Sequence, residues 1–184
     1  MTEKEAEDLC KMVRIGVDLS KKYQPKTKEE LEDLIKELIK ERGNEADLND
    51  INVSQITDMS KLFWYSQFNG DISNWDVSGV EDMSGMFAFS EFNGDISKWN
   101  VRMVEKMDSM FSHAQFNGDI SNWDVSGVKD MRWMFWDSKF NGDISNWDVS
   151  SVWYMEGMFR NSKLNRDIIS GWDVSNVKDI NRIK

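Results

Sequence analysis

The segment Phe-Asn-Gly-Asp-Ile-Ser-x-Trp begins at Phe68, Phe92, Phe116 and Phe140, a spacing of 24 residues each time. The Trp column runs Trp75, Trp99, Trp123 and Trp147, then Trp172 after a one-residue insertion near Ile169. The unit reads FNGDISxWDVSxVxxMxxMFxxSx, and it extends backward. Asp47, Leu48, Ile51, Val53, Ile56, Met59, Leu62 and Phe63 fall on the columns of Asp71, Ile72, Trp75, Val77, Val80, Met83, Met86 and Phe87. About five full turns start from Asn44, and a truncated sixth runs to Lys184. A fixed period between about 20 and 50 residues is the signature of a solenoid, propeller or array, and propeller blades need about 40 or more. The spacing therefore points to a solenoid.

Each unit divides in two. Gly70–Ser73 follows the Asn69-Gly70 turn signal and reads as a short strand. Val80, Met83, Met86 and Phe87 recur at the spacing of one helical face, with room for one or two turns of α- or 3₁₀-helix. The expected fold class is α/β: a leucine-rich-repeat-like solenoid of about five to six 24-residue turns, each a short parallel strand plus a short helix, with an N-terminal helical cap. Inward columns stacked on copies of themselves account for most of the 12 Met, 9 Trp and 10 Phe without any cofactor. The last unit departs from the pattern, with Leu164, Arg166, Ile180 and Ile183 replacing Phe, Gly and the two Met. Such changes suit the end of a stack.

Residues 1–43 lie outside the repeat of 44–184. Thr27-Lys-Glu-Glu30 is a capping box, Leu31, Leu34, Ile35, Leu38 and Ile39 follow helical spacing, and Gly43 stops the helix. An earlier helix is expected over about Glu3–Lys22, with Cys10 an inert core thiol among its apolar residues. The two helices read as a hairpin covering the first turn; a separate binding or dimerising helix pair is the alternative.

The motif FNGDISNWDVS…V..M..MF, nearly verbatim at 116–135 and 140–159, closely resembles the BspA-like leucine-rich repeats of bacterial surface proteins and mycoplasma lipoproteins. The lead-in from Ala46 through Met59 resembles that family's usual opening segment. The resemblance covers about residues 44–184 and implies a binding module with no catalytic residues.

Several function classes are excluded. One Cys, Cys10, rules out an internal disulfide framework, and one His, His113, rules out a two-His metal site. No apolar run approaches the length of a membrane span. Met1–Asp8 is charged and mixed in sign, unlike a secretory signal, and no lipobox Cys is found, so the expected location is the cytoplasm. A net charge of −10 argues against direct nucleic-acid binding. No P-loop, GxSxG or HExxH pattern occurs, and no enzyme is expected.

The charge itself is columnar. Asp47, Asp71, Asp95, Asp119, Asp143 and Asp167 form one acidic ladder. Asp76, Asp124, Asp148 and Asp173 form another, interrupted by Asn52 and Asn100. The Asp-to-Asn exchange favours Asx turns, with a calcium ladder or an acidic recognition face as alternatives. Outward positions free of packing demands carry Trp64, Tyr65, Phe89, Trp133, Trp136, Trp153 and Tyr154, with Arg132 and Arg160 nearby. Aromatics with Arg are the composition of interface hot spots. The expected function is a non-catalytic protein–protein interaction module. The alternative is an acidic inhibitor, of a phage or mobile-element type, that blocks a nucleic-acid-processing or defence enzyme.

Overall fold

The computed structural model describes residues 20–164 and 166–178. The repeats wind into successive rungs joined by backbone hydrogen bonds with the 24-residue period of the sequence. Asp71 N–H donates to the Ala46 carbonyl (3.0 Å), Glu81 to Thr57 (2.8 Å) and Met83 to Lys106 (2.9 Å).

A strand and a helix in every rung are not what the backbone forms. Among the described residues there is one α-helix, α1 (Lys28–Arg42), outside the repeat. A four-residue 3₁₀ turn over Arg166–Ile169 takes up the extra residue of the last unit. Among the described residues, parallel β-pairing is confined to isolated bridges, Tyr23 to Ile51, Asp47 to Asp71, and a column through Asp58, Asp82, Lys106, Asp130 and Tyr154. The α/β leucine-rich-repeat-like solenoid expected from the sequence is therefore corrected: the rungs are built from turns.

The physical reason lies in Met83–Ser90, where a helix was expected. Three overlapping turns are closed by Met86 N–H to Met83 C=O (3.2 Å), Ala88 to Gly85 (3.1 Å) and Ser90 to Phe87 (3.2 Å). The alternate amides of Met83, Gly85, Phe87 and Phe89 leave the segment and donate to Lys106, Asp108, Met110 and Ser112 of the next rung. A helix would keep those amides for carbonyls four residues back. Two columns at positive φ prevent it: Lys61, Gly85, Ser109, Trp133 and Gly157 (54° to 63°), and Tyr65, Phe89, His113, Asp137 and Asn161 (52° to 58°). Each left-handed residue interrupts a right-handed helix.

The inward columns are buried as their periodicity predicts. Phe87 stacks between Phe63 (5.6 Å) and Phe111 (5.7 Å), and the Phe68, Phe92, Phe116 and Phe140 rings stack at 6.2–6.3 Å. The Trp column needs a partner for each indole N–H, and the preceding rung supplies it. Trp75, Trp99, Trp123, Trp147 and Trp172 donate to the carbonyls of Leu48, Ile72, Ile96, Ile120 and Ile144 at 2.9–3.2 Å. The Asn-Gly glycine is selected for space: a Cβ on Gly94 would fall 2.9 Å from the Phe92 ring and 3.1 Å from the Gly70 carbonyl oxygen.

Helix α1 is capped as its sequence specifies. Thr27 Oγ1 accepts from Glu30 N–H (3.2 Å), and the Glu30 carboxylate accepts from Lys26 N–H (2.7 Å). Gly43 at φ 88° closes the C-terminus on the Ile39 carbonyl. Leu31, Ile35 and Leu38 are buried in the same core as the first rungs. Lys28 pairs with Asp58 (3.1 Å), Arg42 with Asp50 (3.0 Å), and Arg42 also donates to the Tyr23 hydroxyl (3.3 Å). Cys10 and all but the last three residues of the expected first helix lie outside the described residues, as do Ile180 and Ile183.

Candidate aromatic binding face

The residues singled out by sequence fall into two connected groups. The first is a stripe that crosses four rungs along one edge of the stack. Trp64 meets Tyr65 edge-on (4.8 Å), Tyr65 stacks on Phe89 (4.4 Å), Phe89 stacks on His113 (4.4 Å), and His113 meets Trp136 edge-on (4.7 Å). Trp64, Tyr65 and Phe89 are exposed by 51%, 62% and 38%, too much for core residues. His113 is half-exposed. It is the link in the stripe, its Nδ1 3.0 Å from the Asp137 carboxylate. Its place in the column of Tyr65 and Phe89 was the available signal.

The backbone under this stripe is unusual. Tyr65, Phe89, His113 and Trp133 are bulky side chains at positive φ. A left-handed residue other than Gly, Asn or Asp costs roughly 1–2 kcal/mol. The last two rungs carry Asp137 and Asn161 in the Tyr65 column, so the fold accepts the residues that suit this conformation. The aromatics are kept in spite of local preference.

Behind the stripe lies a cleft of about 330 Å³. Trp64 stands at one end, Trp133 and Trp136 at the other, and Gly85, Ala88, Ser109 and Ser112 form the floor. The small floor residues occupy the same columns as the Trp walls, so the hollow comes from side-chain size alone. Trp133 leans onto the next rung, where a Cβ on Gly157 would fall 2.4 Å from its Cδ1. Asp108 also lines the cleft and accepts a hydrogen bond from Ser84 Oγ (2.6 Å).

The second group surrounds the column of bridges. Lys129 and Lys178 lie over the Trp153 ring (5.7 and 5.1 Å), and Lys178 over Tyr154 (4.9 Å). Arg132 joins the groups, lying over Trp133 (5.8 Å) and Tyr154 (5.2 Å) while forming a paired salt bridge with Asp130. Arg160 is exposed in the column of Trp64 and Trp136.

The acidic ladder of Asp47, Asp71, Asp95, Asp119, Asp143 and Asp167 is exposed throughout. Each of Asp47, Asp71, Asp95, Asp119 and Asp143 accepts the backbone N–H two residues on at 2.8–2.9 Å, an Asx turn. In the second column Asn52 and Asn100 make the same bond to Ser54 and Arg102. The hydrogen bonds from Ser73, Ser97, Ser121 and Ser145 hold the carboxyls of Asp71, Asp95, Asp119 and Asp143 below their usual range. Among the described residues no group of three or more His, Cys, Asp or Glu is arranged to hold a metal ion. No helix among them is long and apolar enough to cross a membrane.

Comparison with curated proteins finds no match, and comparison with solved structures finds none. Residues 31–139 and 113–183 match the model of a repeat family described as Mycoplasma protein of unknown function, DUF285, and the chain belongs to that family.

Proposed function

We propose that the chain is a non-catalytic module that binds another protein through the aromatic stripe and its adjoining cleft. The observation that carries this reading is the row of Tyr65, Phe89 and His113, exposed or half-exposed and held in left-handed backbone. Neither packing nor local conformation asks for aromatics there, and a contiguous exposed aromatic surface is the usual composition of an interface. The resemblance of the repeat to the BspA-like family of bacterial surface proteins supports the same reading.

Affinity capture from the native host, followed by mass spectrometry, tests it. Wild-type chain should retain a specific protein that the Trp64→Ala, Tyr65→Asn double variant loses, with the thermal midpoint nearly unchanged. Retention by the double variant would count against the stripe. Capture that survives the double variant but is lost when Asp119 and Asp143 are replaced by Asn would instead favour the second reading, an acidic-face inhibitor of a nucleic-acid-processing enzyme.

A further inference from the structure

Resting on that reading, we infer that the cleft between Trp64 and Trp136 recognises a basic side chain, Arg or Lys, presented by an extended segment of the partner. The volume, about 330 Å³, is at the lower end of ligand pockets. It suits one long side chain better than a cofactor.

Three features select a cation. The faces of Trp rings attract positive charge, and this chain already exploits that with its own residues. Lys61 lies over Trp64 (5.7 Å) and Arg132 over Trp133 (5.8 Å), which leaves Trp136 as the cleft wall with no cation over it among the described residues. Between the ends of the cleft the lining offers the Asp108 carboxylate and the hydroxyls of Ser84, Ser109 and Ser112, all able to accept hydrogen bonds. Finally, the cleft's own charges balance, Lys61 against Asp108, while the chain's net charge of −10 draws a basic segment toward the surface as a whole and opposes a second copy of itself. A guanidinium fits best, since its plane can stack on an indole while its edge donates to a carboxylate.

Selection of a random peptide display library on the full-length chain is the direct test. The selected peptides should share a position occupied by Arg or Lys. A synthetic peptide from that pool should bind about tenfold more weakly when the basic residue is replaced by Gln. Asp108→Asn in the protein should cause a similar loss with an unchanged thermal midpoint, because Asn Oδ1 can still accept from Ser84. Peptides without a basic position, but lost on Trp64→Ala, would overturn the inference and leave the stripe as the binding face. Peptides indifferent to both Trp64→Ala and Asp108→Asn would overturn the inference and count against the stripe too. A library that yields no enrichment, or self-association as the only binding event, also overturns the inference.

Discussion

Two phenylalanines two residues apart should differ in what their substitution costs. Phe87 is fully buried and stacks on Phe63, Phe92 and Phe111 at 4.4–5.7 Å. Truncating such a ring to Ala costs about 3–5 kcal/mol. Phe89 is 38% exposed, sits at φ 58°, and stacks on Tyr65 and His113 at 4.4 Å. Replacing it with Asn, the residue Asn161 supplies in the same column, forfeits two ring contacts worth about 0.5–1.5 kcal/mol each. Relief of the left-handed backbone returns roughly 1–2 kcal/mol. With about 1–2 kcal/mol more for the buried part of the ring, the net change for Phe89→Asn is a loss between about zero and 4 kcal/mol, centred below that for Phe87→Ala. Urea unfolding of the two variants measures both, with a shift in midpoint at constant slope as the readout. A loss for Phe89→Asn equal to that for Phe87→Ala would refute the reasoning and make the stripe a structural element.

Gly94→Ala should destabilise by about 1–3 kcal/mol, because the new methyl meets the Phe92 ring on one side and the Gly70 carbonyl on the other; thermal unfolding reads this. Trp123→Phe should cost about 0.5–1.5 kcal/mol for the indole hydrogen bond alone, because the Ile96 carbonyl keeps the Trp99 N–H, and hydrogen exchange should localise the loosening to the adjoining rungs. Stability should also fall in acid. Asp71, Asp95, Asp119 and Asp143 have folded pKa values below their unfolded ones, so they bind fewer protons when folded. Their contribution is complete above about pH 5 and is lost as pH falls through roughly 4 toward the lower folded values. Asp119→Asn keeps the Asx turn without a titrating group and should flatten the acid limb of the stability profile; an unchanged limb would show that these turns do not contribute.

The inward columns were legible because burial imposes a strict period, and Trp75, Val80, Met83, Met86 and Phe87 are all buried. The backbone between them was not. Residues at i and i+3 share an inner side both in a helix and in a chain of overlapping turns, so the spacing of Val80, Met83 and Met86 does not distinguish them. What decides is the left-handed backbone at Gly85 and Phe89, and the same columns elsewhere carry Lys61, Ser109 and Trp133, which announce no such conformation. The strand reading of Gly70–Ser73 failed for a related reason: its glycine answers to the close Ala46 backbone and the Phe68 ring, and only Asp71 bridges to the rung before. For the site, size and variability pointed to Trp64, Tyr65 and Phe89. The contrast of large walls with a small floor appeared only when columns were placed side by side.

The near-identical faces of neighbouring rungs have a genetic consequence. Phe92 lies on Phe116 at 6.3 Å and 4°, and Phe116 on Phe140 at 6.3 Å and 4°. Loss or gain of a whole 24-residue segment rejoins like with like, whereas any other length throws every later column out of phase. Since stability in such arrays is nearly a sum over neighbours, unequal recombination within the gene can change copy number without designing a new core. The spacing between Trp64 and Trp136 would then change by whole rungs, so the gene can resize the cleft between them by the same event that lengthens or shortens the protein.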